Sequence, residues 1–392
     1  MNRLSIYILA LGAFLTATSE LVVSGILYVI AEDLHISLAL AGQLITAYSL
    51  AFAIGTPILV ALTSRLERKK VLVASLLLFM IGCVISSLSS NIALFMVSRV
   101  ITGIASGVYL VVTFGIAAKI VPPHKLGSAI GTIVFGFSSA LILGVPMGIA
   151  ITNWLSWQAI FIILCLLSLI IALIIFRLLP TIEGSVPVSF RQQFQVLGSS
   201  VIVFGLLLTL FRESGGSVFV TYLTPFLQDH LRIHAANVSI VMLVLGIVGA
   251  IGSRAGGYGI DRWGAAKVIV LGMIVQIAAL ALLPLLTEVP LIGLMLVGFV
   301  MLSMFTVGPA IQSYFIQQAP RSSDLVLSLN TSTTHLGLAI GAGTGGLMAD
   351  TASTLLYHPL AAGFIVALGL GAGLIGFAVG NKRLQATTSS LR

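Results

Sequence analysis

Four charged residues and one histidine lie inside long apolar runs of this sequence. Glu20 and Arg99 lie in two of these runs, Arg212 and Glu213 are adjacent in a third, and His335 lies in a fourth. A charge at the centre of a bilayer costs at least about 2.5–3.5 kcal/mol on insertion scales, so each needs a partner, a wet cavity or a function. These residues are therefore the first candidates for proton or solute binding.

The composition predicts a protein that lies almost entirely in a membrane. Of the 392 residues, 58% are hydrophobic and 8% are charged, and the mean hydropathy is +1.17. A soluble domain has about 45–50% apolar and about 25% charged residues. These values exclude a soluble globular protein, a disordered chain and a disulfide scaffold. We expect an all-α polytopic membrane protein.

A helix that spans a membrane requires about 20 apolar residues. Twelve segments of this sequence have about that length and are apolar, so we predict twelve transmembrane helices. Breaks between them are marked by Gly, Pro and Asn clusters and by charges. The predicted spans are 5–30, 39–62, 71–89, 93–118, 128–151, 158–178, 201–227, 238–260, 268–286, 291–315, 325–348 and 358–380.

The basic residues predict the orientation of these spans. If the N-terminus is cytoplasmic, fifteen of the nineteen Lys and Arg residues lie on the inner side, Arg232 lies outside, and three lie within spans. Cytoplasmic loops of membrane proteins carry such an excess of positive charge. We therefore expect both termini in the cytoplasm, and the net charge of +8 needs no nucleic-acid partner.

The chain matches itself at an offset of 197 residues, which predicts two halves of six spans each. The halves are 1–178 and 201–392, and the polar segment 179–200 is a cytoplasmic linker. The recurring pairs include Gly55 and Gly252, Arg65 and Arg262, Lys70 and Lys267, and Gly144 and Gly341. Transporters with parallel repeats bind substrate near the midplane between halves that rock against each other. The repeat favours a transporter over a channel.

The loops after spans two and eight carry related basic sequences. The second, GYGIDRWGAAK (257–267), contains Gly257, Asp261, Arg262 and Gly264 in a G-x-x-x-D-R-x-G pattern. It resembles a signature of the major facilitator superfamily, in which Asp and Arg can pair across a closed inner gate. The first copy, VALTSRLERKK (60–70), keeps Arg65 and Arg68 but has Ser64 in place of the acid.

Spans four and five carry glycine patterns of the same superfamily. Arg99, Gly103 and Gly107 in span four resemble a motif whose arginine is linked to proton coupling. In span five, Gly136 and the hinge segment Gly144, Pro146 and Gly148 resemble the Gly-Pro motif of exporters. Close helix packing around a proline kink would explain the same glycines, and both interpretations can hold.

The whole chain is most similar to the drug:proton antiporter branch of this superfamily, and within it to bacterial purine efflux pumps. SELVVSGIL (19–27) and GFSSALILGVPMGI (136–149) carry much of this resemblance. It implies the major facilitator fold, with twelve helices in two pseudo-symmetric halves, in a bacterial plasma membrane. It also implies a monomer that exports a small solute, first a purine base or nucleoside, with the proton gradient as energy source and no cofactor. Chloramphenicol-type or other drug exporters, sugar exporters and uncoupled facilitators remain alternatives.

Glu20 and Arg99 lie at comparable depths in spans one and four, which suggests one proton site. We expect Glu20 to carry the proton and Arg99 to tune its proton affinity, because motion that changes the pairing changes that affinity. The alternative is a static ion pair that holds the two spans together.

Arg212 and Glu213 point about 100° apart on a helix, so they cannot both face the same partner, and at least one should line the cavity. They are a candidate substrate or second proton site, or they pair with polar groups of neighbouring spans. His335 is either part of a polar cavity wall with Asn330 or a packing histidine. Gln43 and Gln312 are weaker substrate-binding candidates.

Motifs for enzyme chemistry do not occur in the sequence. There is no Walker, HExxH or GxSxG motif, so ATP hydrolysis and common hydrolase reactions have no residues to perform them. Cys83 and Cys165 lie within spans, where we expect neither a disulfide nor a metal site. The chain is therefore not expected to be an enzyme.

Overall fold

The computed structural model describes residues 2–121, 126–184, 196–319, 323–352 and 354–389, and the structural statements below concern these residues. Its long elements are all helices, named here α1 to α12 in chain order. They are α1 (Asn2–Gly25), α2 (Leu38–Leu62), α3 (Arg68–Ser87), α4 (Ile92–Ile120), α5 (Leu126–Ser139, then a π-helical turn Ala140–Gly144, then Val145–Trp154), α6 (Trp157–Leu178), α7 (Ser200–Val220), α8 (Ala235–Trp263), α9 (Ala265–Leu282), α10 (Pro290–Gln318), α11 (Ser323–Ala352) and α12 (His358–Ser389).

Eleven helices in the described residues are long and apolar enough to cross a membrane, and they coincide with eleven of the predicted spans. The other predicted span, 325–348, lies in α11. That helix has 30 residues and is long enough, but its middle carries polar side chains. Asn330 and His335 are only 6% and 4% exposed, so these polar side chains face other helices of the protein.

Short polar side chains begin several of the helices. Ser37 accepts a hydrogen bond from the backbone N–H of Leu40 at the start of α2. Asn91 and Ser156 cap α4 and α6 in the same way. Such caps satisfy backbone donors that have no partner inside the helix. Gly264, with φ of 83°, separates α8 from α9 in a conformation that favours glycine.

Two predicted spans are broken near their C-terminal ends, which differs from the continuous helices predicted over 5–30 and 201–227. α1 stops at Gly25 and is followed by the short helix Leu27–Asp33, and α7 stops at Val220 and is followed by Leu223–Asp229. The residues at the two breaks share one backbone conformation, φ −116° and ψ 20° at Ile26 and φ −106° and ψ 16° at Tyr222. The interruption therefore recurs at equivalent positions of the two halves.

Helix α5 contains a π-helical turn just before Pro146. Proline has no N–H and its ring crowds the preceding turn, so a wider turn relieves the clash. Gly136, Gly144 and Gly148 lie on the face packed against α1, where they meet Ala10, Thr18 and Val22. Glycine-mediated packing and a proline-associated irregularity thus occur in the same helix.

The two sets of six helices pack in equivalent ways. α1 packs on α5 and α2 on α4, while α7 packs on α11 and α8 on α10. Between the sets, α2 packs along α11, and α5 packs along α8. The division at 179–200 stays a prediction, because residues 185–195 lie outside the described part of the chain.

Basic side chains gather at one end of the bundle, here called the basic face. They include Arg65 between α2 and α3, Arg68 at the start of α3, Lys119 at the end of α4, and Arg262 at the end of α8. The start of the linker lies on this face, where the N–H of Arg68 donates to the carbonyl of Ile182 at 2.8 Å. The other end is called the opposite face, and it carries Arg232.

We predict that Gly103→Ala destabilises the fold, whereas Gly115→Ala in the same helix does not. A Cβ at Gly103 would collide with the backbone of Tyr48 in α2, while a Cβ at Gly115 would meet nothing within 4 Å. Overpacking costs about 1–3 kcal/mol, whereas Gly→Ala in an open helix position contributes about 0.5–1 kcal/mol of stability. Thermal unfolding of the purified variants in detergent measures both. Equal melting temperatures would contradict the prediction.

Candidate functional site

A cavity of about 310 Å³ lies between the two sets of helices. α1, α2 and α5 form one wall, and α7, α8, α10 and α11 form the other. Its ionisable lining residues are Glu20 from one side and Arg212 and Glu213 from the other. The lining joins residues that are about 190 positions apart in the chain, as expected for a site at the interface of two repeats.

The Glu20 carboxylate is buried at the edge of this cavity. Its side chain is 4% exposed, and Oε1 lies 3.3 Å from Nδ1 of His335. Its other oxygen, Oε2, has no hydrogen-bond partner. Desolvating a carboxylate is costly unless it is paired or protonated, so this group is suited to bind a proton.

His335 connects α11 to two helices of the other half. Besides the contact with Glu20 of α1, its imidazole stacks on the ring of Phe52 in α2, with ring centroids 3.5 Å apart and planes 18° apart. His335 is 4% exposed and Nδ1 makes no hydrogen bond. The sequence analysis left two alternatives for His335, a cavity-wall residue and a packing residue. The structure shows a third arrangement, a buried contact with the Glu20 carboxylate across the interface.

Arg99 holds three helices together from a fully buried position. It donates from Nη1 to the carbonyl of Ser19 at 2.9 Å and from Nε to the carbonyl of Leu44 at 3.5 Å. Its guanidinium also lies over the ring of Tyr48, 4.4 Å from the centroid. Arg99 and Glu20 interact electrostatically, but they form no ion pair within 4 Å. The expected direct pairing is therefore absent in this conformation, where the partner of Glu20 is His335.

Arg212 and Glu213 form an ion pair with each other through Arg212 Nη1 and Glu213 Oε1. This differs from the expectation that adjacent residues diverge, because both long side chains bend towards the cavity. Arg212 Nη2 also donates to the carbonyl of Met304 in α10. Arg212 Nε has no hydrogen-bond partner, so this N–H is an unused donor close to the Glu213 carboxylate.

The weaker substrate-binding candidates have different positions. Gln312 lines the cavity, whereas Gln43 and Asn330 are not among its lining residues. Asn330 accepts a hydrogen bond from Thr209 at 2.8 Å, which ties α11 to α7. Gln43 packs against Gly343 and Gly346. Their polar atoms serve packing between helices because these two positions face a neighbouring helix rather than the cavity.

Aromatic and methionine side chains make up much of the cavity wall, and sequence analysis did not identify them. They include Phe137, Met301, Met304 and Phe305. Such residues are common throughout the apolar spans, so nothing in their type distinguishes the few that face the cavity. Only the rotation of each helix makes that choice.

A line of contacts between α2 and α11, here called the seam, joins the two halves. The helices run antiparallel, and Thr46 donates a hydrogen bond to the carbonyl of Ala339 at 3.3 Å. From the opposite face inward, the contacting pairs are Ala39 and Gly346, Gln43 and Gly343, Thr46 and Ala339, and Phe52 and His335. The seam thus reaches from the opposite face to the level of His335.

Further contacts close the interface on the same side. Ser239 of α8 donates to the carbonyl of Pro146 in α5 at 2.9 Å. Tyr28 in the short helix after α1 donates to both carboxylate oxygens of Asp229, at 3.1 and 2.9 Å. Burial and the Asp229 carboxylate raise the pKa of Tyr28 to about 12, so its hydroxyl keeps donating at neutral pH. The halves are therefore joined at the opposite face.

The predicted gate residues at the basic face do not cross-link the halves in this conformation. Asp261 and Arg262 are exposed, and Arg262 donates to the Tyr258 hydroxyl of its own helix at 2.9 Å. Arg65 is also exposed, and Gly257 has open space where a Cβ would lie. The predicted pairing of Asp and Arg across this face is therefore not formed by these residues in this structure.

Comparison with known proteins identifies the relatives of this chain. A family model described as Major Facilitator Superfamily matches residues 9–342 and again 216–388. An uncharacterized MFS-type transporter of Bacillus subtilis, YbcL, is 40% identical over 352 residues, which cover 90% of each chain. The inner membrane transport protein YdhP of Escherichia coli K12 is 28% identical and covers 92% of this chain and 93% of its own.

Solved structures share the fold at low sequence identity. The D-xylose-proton symporter superposes with a TM-score of 0.78 at 17% identity, covering 95% of this chain and 96% of its own. A bacterial homologue of the lysosomal transporter Spinster, inward-facing and unoccupied, gives a TM-score of 0.77 at 16% identity and covers 98% of each chain.

We predict that Arg212→Leu destabilises the protein much more than the double change Arg212→Leu/Glu213→Leu. Removing one partner of a largely buried ion pair leaves an uncompensated charge, which costs about 3–5 kcal/mol, whereas replacing both with apolar residues is often neutral. Unfolding by denaturant in detergent would measure the difference. If the double variant were as unstable as the single variant, the conclusion that the two buried charges compensate each other would be wrong.

Proposed function

This chain belongs to the major facilitator superfamily, and on that basis we propose that it exports a small solute in exchange for protons. It is a multi-pass membrane transporter and not an enzyme. In the proposed cycle, the two halves rock around the central cavity and expose it to one side of the membrane at a time.

The single observation that carries the proposal is the position of Glu20. A buried carboxylate lies at the cavity edge, its Oε1 contacts His335 on the other half, and its Oε2 has no partner. A rocking motion of the halves separates Glu20 from His335 and so changes its affinity for a proton. This is the physical requirement for coupling proton binding to alternating access.

The contacts between the halves support the proposal that the cavity is closed towards the outside of the cell in this structure. The halves are joined at the opposite face, and the gate residues at the basic face are exposed and unpaired across the halves. Since the excess of positive charge marks the cytoplasmic side, we infer that the basic face and both termini are cytoplasmic. The structure then corresponds to the state that loads solute from the cytoplasm.

The cavity favours a small and partly apolar solute. About 310 Å³ lies at the lower end of the volumes of small-molecule sites. Aromatic and methionine side chains can stack on a planar ring, while Arg212, Glu213 and Gln312 provide donors and acceptors at its edge. A purine base or nucleoside combines these features and is the first candidate. A chloramphenicol-type drug or a sugar is the alternative exporter substrate.

We further propose that the protein works as a monomer in a bacterial plasma membrane, driven by the proton gradient alone. The alternative function is uncoupled facilitation, in which the contact between Glu20 and His335 only stabilises the interface. The two functions differ in whether solute movement carries protons.

We expect Glu20→Gln to abolish solute-driven dissipation of a proton gradient in inside-out vesicles. Adenine, guanosine, chloramphenicol and arabinose are added in turn while the gradient is followed with a pH-sensitive dye. For the wild type, one solute should dissipate the gradient. Glu20→Gln should fall to the level of empty vesicles, because an amide cannot carry the proton, yet it should retain exchange of labelled solute.

The matched control is Glu288→Gln, since this glutamate is exposed at the opposite face and is not among the residues that line the cavity. It should behave as the wild type. If no solute dissipates the gradient while labelled solute equilibrates through both the wild type and Glu20→Gln, the protein is a facilitator and the coupling proposal fails.

A further inference from the structure

We propose that His335 and Glu20 form a proton-dependent latch that prevents the empty transporter from turning outward. The inference rests on the proposed proton-carrying role of Glu20 and assigns His335 a role of its own, as the residue that prevents proton leakage. The position of His335 on the seam and the charges that surround it support this role.

His335 occupies the innermost of the seam contacts. The seam pairs run from Ala39 and Gly346 at the opposite face to Phe52 and His335. Beside this last pair, Glu20 lines the cavity. The contact of Glu20 with His335 therefore lies between the closed side of the interface and the cavity. Opening the seam to the outside must break this contact.

The charges around His335 leave Glu20 as its ion-pair partner. From α7, Glu213 approaches α11 near Gly337, but it is paired with Arg212. From α4, Arg99 is bound to backbone carbonyls of α1 and α2.

The other elements packed around this point contribute no further charge to it. Tyr48 of α2 lies against Arg99, and α10 contributes the neutral Gln312 to the cavity. Among the residues that the structure describes, Glu20 and His335 are therefore the ionisable side chains that meet between the two halves at this depth.

The number of protons on this pair determines whether it holds the halves together. With one proton, an imidazolium faces a carboxylate, or a carboxylic acid donates to a neutral imidazole, and both arrangements are attractive. With two protons, a cationic imidazolium faces a neutral acid beside the charge of Arg99, so the ionic attraction is lost and only a hydrogen bond to the acid carbonyl remains. The pair therefore closes the seam when it carries one proton and releases it when it carries two.

This dependence would couple the exchange of solute and protons. In the outward-facing state the separated residues take up a second proton from outside, and closure of the seam expels that proton into the cytoplasm, because the single-proton pair is the one that holds the seam closed. The empty transporter is then locked, because the single-proton pair holds the seam closed. A solute that binds beside Glu20 displaces it from His335 and permits the outward return. Without the latch, the empty protein could return and carry protons inward with no solute exported.

We therefore expect His335→Gln to leak protons in the absence of any solute. Purified protein is reconstituted into vesicles of phosphatidylethanolamine and phosphatidylglycerol, a pH gradient is imposed, and its decay is followed with an internal pH dye. His335→Gln should raise the decay rate about tenfold over the wild type, which corresponds to a barrier lowered by about 1.4 kcal/mol. The double variant Glu20→Gln/His335→Gln should not leak, because the leak requires the carboxylate.

The matched control is His358→Gln. His358 is also buried in the second half, but it contacts Tyr222 and the carbonyl of Gly345 rather than an acid. It should show the wild-type decay rate.

A conformational readout on the same samples uses spin labels at Ser90→Cys and Glu288→Cys, two exposed positions in different halves at the opposite face. Their distance should increase in His335→Gln at neutral pH, as the outward-facing population grows.

The outcomes separate this inference from the proposed function. A wild-type decay rate and label distance in His335→Gln would overturn the latch, even if Glu20→Gln still abolishes solute-driven dissipation. A leak that persists in the double variant would show damaged packing rather than a lost latch, and would also overturn it. If solute-driven dissipation is unaffected by Glu20→Gln, the coupling proposal itself fails.

Discussion

The Glu20 carboxylate has its ion-pair contact on the other half of the molecule, and much of the structure follows from that constraint. A buried carboxylate is costly unless it is paired or protonated, and here the partner is the imidazole of His335 at 3.3 Å. A pair inside one half would be unaffected by a rocking motion. In the proposed cycle, a pair between halves is made and broken by that motion, which would link proton affinity and conformation at one site.

The two buried arginines of this site, Arg99 and Arg212, are each bound to groups within their own half of the molecule. Arg99 is bound to the carbonyls of Ser19 and Leu44 and therefore moves with the first half as a unit. Arg212 is bound to Glu213 and to the carbonyl of Met304, all within the second half. Each half thus satisfies its own arginine internally. The contact of Glu20 with His335 remains to respond to the relative position of the halves.

Glycines bring helices close together both within and between the halves. Within the first half, glycines in α4 and α5 allow the close approach of α2 and α1. Between the halves, Gly246 lies against the backbone of Ile142, and a hydrogen bond joins Tyr28 to Asp229. Rigid-body motion of the halves would have to separate such contacts while each half keeps its core.

The sequence alone determined the helical membrane architecture, the twelve segments, the basic face and the identity of the buried ionisable residues. These follow from hydropathy, charge and the repeat, which depend on residue type and spacing. Only the tertiary structure decided that Glu20 meets His335 rather than Arg99, that Arg212 pairs with its neighbour, and that Asn330 faces away from the cavity. Such choices depend on the rotation of each helix and on side-chain conformation, and a uniformly apolar helix has too weak a pattern to reveal its rotation.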